Sequence, residues 1–211
     1  MKRPLRFYFD FASPYAYFAL RPLQALAAEH GRAIEYRPML LWAVLKAHGI
    51  AAPLDAPVKR AYFQTDMVRS AAFHGVPYIH PGTLPFSSHL AARLFYAIVE
   101  QRPDAAQALT QDIFDALFAR GEDITQLDVL RAIAVGQGLD PDAARAAIEG
   151  PLGRQRLAEA VDLAIADKVC GSPYMLVDGE GFFGCDRLPQ IEWRLAQAER
   201  ADDRIKRKEA S

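Results

Sequence analysis

Ser13 is the residue whose type and position most directly suggest chemistry. It follows the apolar run Phe7-Tyr8-Phe9 and precedes Pro14, where a helical pattern begins. Proline suits the first position of a helix, because the N–H it lacks would have no partner there. Ser13 is therefore the expected N-cap, with its hydroxyl at the positive end of the helix. A strand that delivers a hydroxyl to a helix N-terminus is a ready site for an anion. The residue types alone leave open that Ser13 only caps the helix.

Other candidates lie far along the chain. Pro173 stands just ahead of an apolar run, in Gly171-Ser172-Pro173-Tyr174, where proline commonly ends a loop. Asp186-Arg187 read by themselves are a surface ion pair of small energetic weight. Lys59 sits on a charged helix face, which is ordinary for a solvated lysine. Cys170 and Cys185 are too few for a disulfide framework and too far apart for a Cys-x-x-Cys pair. They are expected as free, mostly buried thiols. His74, His80 and His89 are scattered and lack the fixed spacing of a metal site, so no metal is expected.

The elements that must position these residues follow from periodicity. Leu5 to Asp10 reads as a strand, Pro14 to about His30 as a helix interrupted or kinked at Pro22, and Ile34 to Arg37 as a second strand. Such a β-α-β start implies parallel strands. Residues 39–150 then read as helices. These are Leu40 to His48, then Ala56 to His74 with Tyr62, Phe63, Met67, Val68 and Ala71 on its apolar side. Ser88 to Gln101 follows, capped by Ser87, and then Asp104 to Arg120. The segment from Thr125 to Gln137 opens on an acidic capping box of Thr125 and Asp128, and Asp140-Pro141 starts a short helix. Pro151 to Lys168 is a further helix. Tyr174 to Val177 and Phe182-Phe183 form a hairpin about Asp178-Gly179, and Leu188 to about Ala198 is the last helix. The charged stretch 201–211 reads as a frayed or disordered tail.

The 211 residues carry a net charge of −1 and 51% hydrophobic residues, ordinary values for a globular chain. No positive surplus points to nucleic acid or an acidic membrane surface. No stretch reads as a signal peptide or a membrane span, so a cytoplasmic protein is expected.

The motif Phe9-Asp10-Phe11-Ala12-Ser13-Pro14-Tyr15-Ala16-Tyr17 resembles the start of the 2-hydroxychromene-2-carboxylate isomerases and the related kappa-class glutathione transferases, within the DsbA-like group of thioredoxin folds. Positions 13 and 16, cysteines in the dithiol members, are Ser and Ala here. The run Phe183-Gly184-Cys185-Asp186-Arg187-Leu188 is similar to the family's Phe-Gly-x-Asp-Arg-Leu. Lys59-Arg60-Ala61-Tyr62 through Asp66 is similar to its Lys-x-x-Tyr-x-x-x-Asp.

The resemblance implies an α/β thioredoxin-like domain, residues 1–38 and 151–200, with an all-helical domain, 39–150, inserted in its middle. It implies glutathione as cofactor, with Ser13 serving the external thiol. It makes Pro173 a cis proline that leaves the Ser172 backbone free to pair with the peptide. Asp186 would take the glutamyl ammonium, with Cys185 beside the glutamyl carboxylate. Arg187 would be a carboxylate partner or hold the loop through Asp186. Lys59 would approach a carboxylate of glutathione or substrate. Tyr15, Trp42, Tyr62 and Phe86 are candidates for the wall of an aromatic substrate pocket, and equally for the core.

A thiol of pKa ~8.5 is only about 3% thiolate at pH 7, and lowering it by about two raises that to roughly three quarters. The implied reaction is thiolate addition to a conjugated carbon, bond rotation and elimination. The alternatives are a kappa-like transferase or peroxidase, and a redox-inactive binding protein. A homodimer is the expectation by resemblance. Two family asparagines are absent: Ile50 follows Gly49, and the other position falls at Phe86-Ser87-Ser88. Ser172 stands where valine is usual. These departures bear on substrate and not on fold.

Overall fold

The computed structural model describes the backbone of residues 2–209 and the side chains as far as residue 200. Four strands form one sheet in the order β2-β1-β3-β4. They are β1 (Leu5–Phe9), β2 (Ile34–Pro38), β3 (Tyr174–Val177) and β4 (Glu180–Phe183). β1 pairs in parallel with β2, Leu5 opposite Ile34 and Phe9 opposite Pro38, and antiparallel with β3, Tyr8 opposite Tyr174. As an inner strand covered on both faces, β1 carries an almost unbroken apolar run. β3 and β4 are joined by Asp178 (φ +51°) and Gly179 (φ +90°), the left-handed pair a tight hairpin requires. This is a thioredoxin-like sheet whose strands come from both ends of the chain.

α1 (Pro14–Glu29) crosses from β1 to β2 and runs through Pro22 as one helix. Then come α2 (Leu41–Ala47), α3 (Pro57–His74), α4 (His89–Val99), α5 (Ala106–Phe114), α6 (Leu127–Gly136), α7 (Pro141–Glu149) and α8 (Pro151–Ala166), with α9 (Leu188–Glu209) last. The aromatic side chains tie helices to sheet. Phe114 lies 5.4 Å from Phe9 and 5.1 Å from Phe11 between ring centroids, and Tyr17 lies 5.3 Å from Phe118. Such pairs add ~0.5–1.5 kcal/mol each beyond area burial.

Several expectations are corrected. α9 extends well past Ala198, so 201–209 continue its backbone instead of fraying, while 210 and 211 lie outside the described residues. The single helix expected over Asp104 to Arg120 is a 3₁₀ turn (Pro103–Ala105), α5, and a π-helical turn (Asp115–Ala119). The wider turn bonds Arg120 N to Asp115 O at 2.9 Å, and Phe118 O accepts the Ile79 N–H at 2.6 Å. Thr125 and Asp128 form no capping box. Asp123 instead accepts from the Thr125 N–H, the Thr125 hydroxyl and the Gln126 amide, at 2.7–2.9 Å.

Ser88, not Ser87, is the cap position of α4. On α3 only a narrow stripe, Met67 and Ala71, is buried, and Tyr62 and Val68 face outward. Cys170 is exposed and Cys185 partly so, since neither falls on a core-facing position.

Candidate active site at the start of α1

The β1–α1 turn folds as its residues dictate. Ser13 is extended (φ −96°, ψ 108°), and its Oγ accepts the Ala16 N–H at 3.3 Å. Pro14 has no N–H to satisfy, and the Tyr15 N–H lies in the first turn, where no i−4 carbonyl is available. The Ser13 hydroxyl also donates to Ser172 O at 3.0 Å. The Ser172–Pro173 bond is cis, and Pro173 O accepts the Gly184 N–H at 3.0 Å. The start of α1, the loop before β3 and the loop after β4 thus converge. The resemblance implies a free Ser172 backbone, and the structure corrects this in part. The Ser172 carbonyl is taken by Ser13, while the Ser172 N–H has no acceptor among the described residues.

Asp10 holds this convergence from beneath. Buried at the end of β1, it accepts the Ala12 N–H (2.9 Å), the Leu41 N–H (2.9 Å) and the Ser88 hydroxyl (2.5 Å). Burial pushes its carboxyl up, and the three hydrogen bonds oppose that shift. One carboxylate therefore fixes the β1–α1 turn, the start of α2 and the cap of α4. Sequence reasoning missed this role for Asp10 and for Ser88. The available signal was a lone carboxylate ending an apolar strand.

A second cluster flanks Tyr15. Its hydroxyl donates to Asp66 at 2.5 Å, and Asp66 also accepts from Tyr62 at 3.1 Å and from Arg69. Burial works to raise the Asp66 carboxyl, but the bonds from Tyr15, Arg69 and Tyr62 outweigh it and hold it below its ordinary value. Burial and the Asp66 bond push the Tyr15 phenol far up, so it stays protonated. Cys185 belongs to this neighbourhood. Burial first, then the charges of Asp186 and Asp66, push its thiol up to about 11. Such a shift favours the thiol over the nucleophilic thiolate.

Asp186 is largely exposed and accepts from Arg187 at 2.9 Å. Of the two roles considered for Arg187, the contact made is the one that holds the loop. Gly184, two residues before Asp186, has φ +108°, a conformation that favours glycine, and a Cβ there would also lie 2.4 Å from Asp186 Oδ1. Lys59, in the first turn of α3, is exposed and makes no hydrogen bond or ion pair among the described residues. Tyr15 and Phe86 are half-buried against the main core. Trp42 and Tyr62, both 57% exposed, are not core residues. The structure thus brings together Ser13, Ser172, Pro173, Tyr15, Cys185, Asp186 and Arg187, and among the described residues Lys59 and Trp42 make no hydrogen bond or ion pair with them. Two open cavities, of about 300 Å³ beside Tyr36 and about 610 Å³ beside Asp128, are lined by none of these residues.

A helix start that faces a cis proline across this sheet defines a protein of the thioredoxin-like class. A DsbA-like thioredoxin domain model matches residues 4–196. The 2-hydroxychromene-2-carboxylate isomerase of Sphingobium xenophagum is 32% identical over 194 residues, 91% of this chain and 97% of that one. A solved 2-hydroxychromene-2-carboxylate isomerase superposes with a TM-score of 0.83 at 28% identity, covering 95% and 98% of the two chains. Glutathione S-transferase kappa 1 of Caenorhabditis elegans is 27% identical over 214 residues, 94% and 93% of the two chains. The chain belongs to the DsbA-like thioredoxin-fold family and, within it, to the 2-hydroxychromene-2-carboxylate isomerases.

Proposed function

We propose that this chain is a glutathione-dependent isomerase of 2-hydroxychromene-2-carboxylate-like aromatic substrates. The observation that carries the reading is the buried Ser13 hydroxyl at the start of α1, opposite the cis Ser172–Pro173 bond, in a chain of the isomerase family. The donor set fits a glutathione molecule. A hydroxyl and a helix N-terminus suit its sulfur anion, the unpaired Ser172 N–H suits its backbone, and Asp186 suits its ammonium. When bound, glutathione supplies a thiolate able to add reversibly to a conjugated carbon and so free the adjacent bond to rotate.

The chain's own residues do the rest. Ser13 turns its hydroxyl from Ser172 O to the sulfur and favours the anion over the thiol. Asp186, steadied by Arg187, binds the glutamyl ammonium, and Cys185 lies neutral beside the glutamyl carboxylate. Lys59 approaches a carboxylate from the rim. Tyr15 is locked by Asp66, and with Phe86 it walls the site. Trp42 and Tyr62 offer exposed aromatic faces to a flat substrate. A homodimer in the cytoplasm completes the proposal, the exposed Val68 and Phe73 of α3 supporting a second copy as neighbour.

The test is product analysis with the chromene substrate, with and without glutathione. Isomer formed at constant total glutathione supports the reading, whereas turnover without glutathione would overturn it. The kappa relatives favour a second reading, conjugation or peroxide reduction. In that case glutathione is consumed in step with substrate.

A further inference from the structure

Ser172 bridges the two ends of the β1–α1 turn. Its Oγ accepts the Asp10 N–H at 2.9 Å, and its carbonyl accepts the Ser13 hydroxyl at 3.0 Å. The residue is only 9% exposed. A serine hydroxyl has one proton to donate besides the lone pairs that accept. Because Oγ is the acceptor towards Asp10, that proton is unspent, and no acceptor for it is found among the described residues. The adjacent carboxylate of Asp10 is already engaged by Ala12, Leu41 and Ser88. A buried donor without an acceptor therefore sits on the very residue whose carbonyl accepts the Ser13 hydroxyl.

We propose that the Ser172 hydroxyl is a second hydrogen-bond donor to the sulfur anion that Ser13 serves. The inference rests on the glutathione reading above. A sulfur anion seated at the start of α1 draws the Ser13 hydroxyl off Ser172 O and presents an acceptor to the Ser172 hydroxyl. The Asp10 N–H keeps Ser172 Oγ in place while it donates. The anion is then shared between two hydroxyls on opposite sides of the site, one capping α1 and one preceding the cis proline. Such charge-assisted bonds are stronger than neutral ones, so each bears on the thiol–thiolate balance.

The test is a pH titration of the ultraviolet thiolate absorbance of protein-bound glutathione, for the full chain and for Ser172→Ala, Ser172→Thr and Ser13→Ala. S-methylglutathione, whose sulfur does not ionise, serves as the control ligand. Ser172→Ala is expected to raise the bound thiol pKa by about 1, a roughly tenfold loss of thiolate relative to thiol below that pKa. Ser172→Thr restores the wild-type value, and S-methylglutathione affinity stays level across the Ser172 series. If the alanine variant does not fold, Ser172→Val replaces it. An unchanged thiol pKa in Ser172→Ala overturns the proposal. So does a parallel loss of S-methylglutathione affinity that threonine does not rescue, which marks Ser172 as a clamp of the turn alone. A wild type that binds neither compound overturns the glutathione reading itself. One that binds both without dependence on Ser172 overturns only this inference.

Discussion

The Ser13 hydroxyl and the Ser172 carbonyl oxygen are 3.0 Å apart, although 159 residues separate them in the chain. Ser13 also accepts the Ala16 N–H, so one side chain both caps α1 and closes the site on the cis-proline loop. Removing it has two effects that can be measured separately. Ser13→Ala is expected to lower isomerase turnover about 10²-fold, the usual order for loss of one anion-stabilising donor. It also costs ~1 kcal/mol of stability through the lost cap. Steady-state kinetics and urea unfolding read the two. Turnover within twofold of wild type would remove Ser13 from the mechanism.

Asp186 and Arg187 form an exposed pair, so their bond contributes little to stability. Asp186→Ala should leave the melting temperature within a degree or two while weakening glutathione binding at least tenfold. Calorimetric titration measures the binding. Equal affinity in the variant would take the ammonium site away from this loop. Gly184→Ala should reproduce the binding loss with a stability cost added, since its φ is +108° and its Cβ would strike Asp186 Oδ1.

The Asp66 carboxyl sits below its ordinary value because Tyr15, Arg69 and Tyr62 bond to its charged form. Its stabilising contribution is therefore present above the unfolded-state pKa of ~3.9 and is lost as pH falls through the lower folded value. Asp66→Asn should destabilise the protein at pH 7, and the difference from wild type should shrink as the pH is brought towards 3. Denaturant unfolding at both pH values checks this. A gap that stays constant would show that Asp66 acts through shape and not through charge.

The two cysteines should differ in reactivity. Cys170 is exposed, whereas Cys185 is partly buried with its thiol pushed up to about 11. At pH 7.5 an alkylating reagent is expected to modify Cys170 at least tenfold faster, with Cys185 gaining reactivity only as pH rises towards that value. Peptide mapping by mass spectrometry after timed labelling resolves the two sites. Comparable rates at neutral pH would mean that Cys185 is available as a thiolate.

The local signals of this chain carry a great deal. The Ser13-Pro14 cap, the Asp178-Gly179 hairpin and the Asp140-Pro141 start all depend on residues within one turn of each other. Each is found where its types and spacing place it. The strand and helix periods that order β1, α1 and β2, and later β3, β4 and α9, are likewise short-range properties. So the fold, and the position of the hydroxyl at a helix start, could be read from the residues and their resemblance to a family.

What tertiary structure alone decided is which distant groups meet and which surfaces remain open. Ser88, and not the expected Ser87, holds the cap position of α4, yet its hydroxyl goes to Asp10, 78 residues earlier. Tyr62 and Val68 have core-like spacing on α3, yet only Met67 and Ala71 of that face are buried. Ser172 offers its backbone and its hydroxyl to opposite ends of one turn. Periodicity records which face a side chain takes on its own element. Whether that face is covered, and by which donor or acceptor, depends on how elements far apart in the chain pack together.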